Sequence, residues 1–216
     1  MSEGKDRPSR ARRARRTSGD DREQAILASF EELLERRALP EISIDDIARG
    51  AGISRPTFYF YFPSKDAVLL SLLDRMVEQA RAERDAALAE AAGDPARAWR
   101  AAIETYYRIF RAHRAVSVAA ADARVTNPEV RALWSQVMTG LVEETAAAIE
   151  AERARGAARS EVPARDLAVA LNWMNERVLH AGFAGHAPMI DEARVVDVLL
   201  EIWLAAIYGG CPPTTS

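Results

Sequence analysis

Apolar residues recur at three- and four-residue intervals along almost the whole chain, and no stretch shows the strict alternation of a half-buried strand. The pattern predicts an all-α protein of about nine helices, punctuated by prolines, glycines and capping residues. A first helix is expected from about Asp20 to Arg37, with Ile26, Leu27, Phe30, Leu33 and Leu34 inward. Ser43, with Asp46 three positions later, forms a capping-box pair that starts a second helix, which Gly50-Ala-Gly52 ends. Ser54 caps a third, with Pro56 in its first turn, where a missing N–H costs little. Pro63 stops it, and Ser64 opens a long fourth helix running to the Gly93-Asp-Pro95 break. Five more are expected at about 95–112, 115–123, 128–155, 163–184 and 191–208.

The third helix is the most informative. Residues Phe58 to Phe62 are all aromatic, and a helix cannot bury five consecutive rings on one side. Phe58 and Phe62, four apart, suit the anchored back; Tyr59, Phe60 and Tyr61 cover other faces. A helix, a tight glycine turn and a second helix bearing aromatic, hydroxyl and basic groups match the layout of a helix-turn-helix DNA reader, here over about 43–62. The expected DNA-facing set is Ser43, Ser54, Arg55, Pro56, Thr57, Tyr59, Phe60, Tyr61 and Lys65. Arg55 suits a guanine edge or a phosphate, the tyrosine hydroxyls suit phosphate oxygens, and Lys65 lies at a helix N-terminus that favours phosphate.

Charge sharpens this picture. The net charge is −3, yet residues 1–16 carry seven basic side chains against two acidic ones. Residues 1–18 therefore read as a disordered basic arm, either a simple solvated leader or a tracker of phosphates and minor groove. Three domains follow: the arm 1–18, a DNA-binding head 19–66, and a ligand-binding and dimerisation domain 67–210.

The larger domain has several apolar stripes. Trp99, Ile103, Tyr106 and Phe110 share one helix face; Trp134, Met138, Leu141 and Thr145 share another. The expected eighth helix places Asn172, Asn175 and Glu176 among apolar neighbours, where unpartnered polar groups would each cost ~1–3 kcal/mol. Such stripes suit either core packing or an apolar pocket with a few polar contacts. The last helix is apolar on two sides (Val195, Leu199, Ile202, Ala206 and Val196, Leu200, Trp203, Ile207), so a second subunit can cover one of them.

Other chemistry finds little footing. His113, His180 and His186 lack zinc-ligand spacing, the lone Cys211 has no neighbouring base, and nucleophile-elbow and phosphate-loop motifs are absent. No enzyme, metal or cofactor is expected. No apolar run approaches the ~18 residues of a membrane span, and a single cysteine excludes an intrachain disulfide, so a cytoplasmic protein is expected. A carrier of apolar molecules without DNA function remains open, although it leaves the run Ser54–Lys65 idle.

The segment ISIDDIARGAGISRPTFYFYFPSKDAVLLSLLDRM resembles the N-terminal domain of TetR-family transcriptional regulators, with Thr57–Phe62 followed by Ser64-Lys65 as the most specific part. SGDDREQAIL, Ala98-Trp99-Arg100, Ala170–Arg177 and Ile202-Trp203 extend the likeness, from about residue 17 to Gly209, to a ligand-controlled mycobacterial branch of that family. The resemblance implies a repressor that binds a palindromic operator as a homodimer joined through the last two helices. It also implies release by a small apolar effector, and a flavin monooxygenase gene as a target. The implied channel is lined by Trp99, Ile103, Tyr106, Phe110, Trp134, Met138, Thr145, Asn172, Asn175, Glu176 and Trp203. The chain departs from that branch at Leu141 and Glu144, where the branch has aromatics, and at His180, where it has Phe.

Overall fold

The structure is a computed structural model that describes residues 10–91 and 93–209, with side chains from residue 19 onward. The described residues form nine α-helices, one 3-10 turn and no strand. They fall into two units divided between Leu72 and Leu73, six residues beyond the boundary expected from the sequence. The fourth helix, α4 (Lys65–Glu90), runs through that division.

The first unit holds α1 (Arg10–Leu34), a 3-10 turn (Leu39–Glu41), α2 (Ile44–Gly50), α3 (Arg55–Tyr61) and the start of α4. The helix α1 begins about ten residues ahead of the expected start, so residues 10–18 of the expected arm are helical; its Ala and Arg residues are strong helix formers. Residues 1–9 lie outside the described residues. Ile26, Phe30, Ile42, Ile47, Phe58, Val68 and Leu69 are fully buried and form the core of this unit.

Local chemistry fixes the turn. Ser43 Oγ accepts from the Asp46 backbone N–H at 3.1 Å, and Asp46 Oδ2 accepts from the Ser43 N–H at 3.1 Å, which closes the capping box. Gly52 sits at φ +66°, where a side chain is strained. Gly50 serves a different purpose: a Cβ there would stand 2.2 Å from Ser29 Oγ, so its hydrogen side lets α2 approach α1. Ser29 Oγ in turn donates to Ile47 O at 2.9 Å and ties the same two helices.

Asp46 also accepts from Arg37 Nη2 at 2.7 Å. This bond, with those from the Ser43 side chain and backbone, holds its carboxyl well below the usual carboxylate range. An unfolded aspartate titrates near ~3.9, so the stabilisation is present above that pH and fades as pH falls toward the folded value. Thermal melts of the wild type are expected to lose midpoint progressively below about pH 4. Asp46→Asn, with a lower midpoint at neutral pH, should show a shallower acid dependence, and parallel curves for the two proteins would refute this account.

The second unit contains the rest of α4 and α5 (Pro95–Ala112), α6 (Arg114–Thr126), α7 (Pro128–Ala154), α8 (Ala164–Ala184) and α9 (Val195–Tyr208). Here α7 packs on α8, α5 on α9, and α6 on both α7 and α8. The helix α6 runs three residues past its expected end, up to Asn127, whose Oδ1 accepts from Glu129 and Val130 N–H groups to start α7. The start of α9 is later than expected because Asp191 forms a turn of its own, accepting from the Ala193 N–H at 2.8 Å.

Candidate nucleic-acid and ligand sites

Within the first unit α3 presents its rings in the order anchored, exposed, exposed, half-buried, anchored. Phe58 and Phe62 are buried with ring centres 6.2 Å apart. Tyr59 is 45% exposed and Phe60 is 82% exposed, while Tyr61 is half-buried beneath the Phe60 ring edge. Ser54 Oγ caps the helix through the Thr57 N–H at 3.3 Å and lies 2.8 Å from Thr57 Oγ1. Ser54, Arg55 and Pro56 are exposed at the helix start. The Arg55 guanidinium donates to Asp45 Oδ2 at 3.0 Å and to Tyr59 OH at 3.4 Å, and lies 5.8 Å from the Tyr59 ring centre. The exposed groups of α3 thus present one cation, two aromatic rings and short hydroxyls.

Lys65 departs from the expectation of a phosphate contact. Its ammonium donates to Leu39 O at 2.7 Å and to Ile42 O at 2.9 Å, clasping the segment between the 3-10 turn and α2. Leu39 O also accepts from the Ile42 N–H at 3.3 Å within the 3-10 turn, so the ammonium adds a second bond there and gives Ile42 O a partner. Lys65→Met is therefore expected to lower the melting temperature by several degrees, and a variant that melts like wild type but binds DNA weakly would restore the phosphate role. Ser43 is exposed, but its hydroxyl is taken up by Asp46.

The second unit encloses a cavity of about 340 Å³, within the ~300–1,000 Å³ of small-molecule sites. All eleven residues of the expected channel line it, as do the three points of departure, Leu141, Glu144 and His180. Arg84, Leu88, Ser117, Glu152 and Phe183 also line it and were not singled out from the sequence. Their only sequence signal was an inward position on a helix whose neighbours were unknown.

The polar groups of the cavity wall are largely paired. Asn172 Nδ2 donates to Thr145 Oγ1 at 3.1 Å and to Ala168 O at 2.9 Å. Trp203 Nε1 donates to Asn175 Oδ1 at 3.0 Å. Arg124 Nη2 meets Glu176 Oε1 at 2.7 Å, and the Arg124 guanidinium lies 5.1 Å from the Trp134 ring centre. Arg84 bonds to Tyr106 OH at 3.1 Å and pairs with Glu144 and Asp85. Burial pushes the Tyr106 hydroxyl above its ordinary pKa and the His180 imidazole below its own. Both rings are therefore neutral at neutral pH, and the wall is an apolar surface whose polar points are mostly paired, the buried Trp134 Nε1–H being an exception. Among the described residues no cluster of His, Cys, Asp and Glu could hold a metal ion, and no helix is long and apolar enough to cross a membrane.

A compact helical head with a glycine turn between two short helices, joined to a helical domain around an apolar cavity, defines a helix-turn-helix regulator. Comparison with known proteins narrows this. The model of the bacterial regulatory proteins of the tetR family matches residues 26–72, and that of the C-terminal domain of transcriptional regulator EthR matches residues 99–209. The HTH-type transcriptional regulator EthR of Mycobacterium tuberculosis is 56% identical over 205 residues, covering 93% of each chain. EthR of Mycolicibacterium smegmatis is 49% identical over 210 residues, covering 97% of each. Among solved structures, the TetR-family regulator PfmR from Thermus thermophilus aligns with a TM-score of 0.66 at 21% identity, over 84% of this chain and 96% of its own. The chain belongs to the TetR family of bacterial transcriptional regulators, in the branch that carries the EthR-type C-terminal domain. It is a DNA-binding regulator and not an enzyme, and the open choice between regulator and carrier falls to the regulator.

Proposed function

We propose that this protein is a repressor that binds a palindromic operator as a two-fold dimer and is released by an apolar effector held in the cavity of its second unit. The observation that carries the effector part is the cavity itself. It combines aromatic walls with two amides that retain bonding capacity: Asn172 keeps its Oδ1 and Asn175 its Nδ2 for a ligand's donor and acceptor. Ser54, Arg55, Pro56, Thr57, Tyr59, Phe60 and Tyr61 form the DNA-facing set, with Ser43 at the start of the preceding helix.

Dimerisation through α8 and α9 is supported by their exposed apolar side chains. Trp173 on α8 is 46% exposed and Ile202 on α9 is 41% exposed, although neither helix needs an apolar outer face for its own fold. A two-fold pair places its reading helices ~34–36 Å apart, one turn of DNA, and requires a palindrome. The effector enters the cavity, tilts α4 and moves the heads off that spacing. To shift operator occupancy from 99:1 to 1:99 it must favour the released state by ~5.5 kcal/mol.

The test is fluorescence anisotropy on the DNA upstream of the protein's own gene, with excess random competitor, followed by addition of long-chain amides or esters. Competitor-resistant binding that one of these probes reverses is the expected result. A probe that binds, as seen by calorimetry, without loosening the DNA complex would defeat the release mechanism. A solution mass equal to one 23.8 kDa chain under DNA-binding conditions would defeat the dimer.

A further inference from the structure

Phe60 is the most exposed large apolar side chain among the described residues, at 82%. It is the sixth residue of the seven in α3, edge-on to Tyr61 at 5.2 Å, and its ring makes no core contact of the kind that fixes Phe58. Its helix carries the other candidate DNA contacts, Arg55 and Tyr59, so the ring continues a surface whose partner is DNA. The chemistry of the two surfaces then limits what it can meet. Tyr59 and Tyr61 have hydroxyls that can bond to phosphate oxygens, whereas Phe60 has no polar atom for phosphate or base edge. In the major groove the apolar feature that distinguishes one base from another is the C5-methyl of thymine. Insertion of a ring between base steps belongs to minor-groove binders, not to a helix lying in the major groove.

We infer that Phe60 reads the C5-methyl group of a thymine in each operator half-site and is a specificity-determining residue of this regulator. The inference rests on the DNA-reading role of α3 and adds to it the base identity that one side chain selects.

The experiment uses the full chain and an operator fragment selected from a random pool. Each thymine is replaced in turn by deoxyuridine, which removes only the methyl group and keeps every hydrogen bond. One thymine per half-site is expected to be sensitive, with binding about four-fold weaker for one substitution and about sixteen-fold weaker for the symmetric pair. Phe60→Ala should weaken binding to the thymine operator and abolish the difference between thymine and deoxyuridine. Because the ring is exposed, its removal should leave the thermal melt unchanged. Phe60→Leu, which keeps an apolar contact, should retain part of the difference.

A flat response at every thymine overturns the inference, as does a deoxyuridine penalty that persists in Phe60→Ala. Specific binding with either of those results leaves the DNA-reading role of α3 standing. Failure of the wild type to select any sequence from the pool overturns that role together with the inference.

Discussion

Arg55→Ala is expected to abolish discrimination between operator and random DNA while leaving much of the non-specific affinity in place. The first residue of α3 is Arg55, and the N-terminal residues of a recognition helix contact base edges. Its guanidinium is held ready by Asp45 from α2 and by the Tyr59 hydroxyl and ring, so little side-chain freedom remains to be lost on binding. A bidentate arginine–guanine pair contributes ~1–3 kcal/mol of discrimination. Two heads of a dimer double this to about 2–6 kcal/mol, a loss of roughly thirty-fold to twenty-thousand-fold in specific affinity. A phosphate contact would behave differently. Specific and non-specific binding would then fall together, and the slope of log affinity against log salt would drop by about 0.9 for each contact removed. Titrations of wild type and variant at four salt concentrations separate the two, and a changed slope with an intact specificity ratio would sink base readout. The Asp45–Arg55 pair is itself more than half exposed on both sides, so its removal matters little for stability. Asp45→Ala should leave the melting temperature nearly unchanged while raising affinity for random DNA.

The sequence exposed those parts of this design that depend on near neighbours. The cap at Ser43 with Asp46 and the cap at Ser54 each use groups three residues apart, and both stand where the pattern placed them. That the rings of Tyr59, Phe60 and Tyr61 could not all be buried followed from helix geometry alone. Which of them faces outward did not, because that depends on how α3 rotates against α1, α2 and α4. Lys65 shows the same limit. Beside a helix start it looks like a phosphate ligand, and only the fold brings it to carbonyls 23 and 26 residues earlier in the chain. Gly50 belongs by pattern to a helix stop, whereas its requirement comes from Ser29 on another helix. In the second unit the aromatic stripes taken alone point to solid core packing before a cavity. Spacing cannot tell whether facing side chains meet or leave a gap, and there the family resemblance supplied what periodicity could not.

Trp99→Ala should be among the most damaging single changes to the second unit. Its ring is buried, packs on Trp203 with ring centres 5.3 Å apart, and donates from Nε1 to Tyr208 OH at 2.9 Å. Tyr208 OH then donates to Glu152 Oε2 at 2.9 Å, and Glu152 is paired with Arg155. The chain of bonds joins α5, α7 and α9 along one wall of the cavity. Burial, outweighing the Trp99 bond, drives the Tyr208 hydroxyl above its ordinary range, so it is protonated at neutral pH and can donate to Glu152. Truncating a buried tryptophan costs ~3–5 kcal/mol through lost transfer energy and the space left behind. For a domain of this size that is a fall of roughly 6–20 °C in melting temperature. Trp99→Phe goes far to separate the two contributions, because it removes the donor and, although phenyl is smaller than indole, keeps most of the ring contact. The lost hydrogen bond alone accounts for about 1 kcal/mol, so Trp99→Phe should retain most of the stability. Urea melts followed by circular dichroism give both values, and equal losses in the two variants would show that the bonded chain, rather than ring packing, holds this wall. The enlarged cavity of Trp99→Ala also offers more room to an apolar effector. Ligand binding stabilises only the folded form, so a bulky amide probe should raise the melting temperature of Trp99→Ala by more than that of the wild type. No such difference would mean that the cavity collapses around the missing ring and that Trp99 keeps the ligand site open.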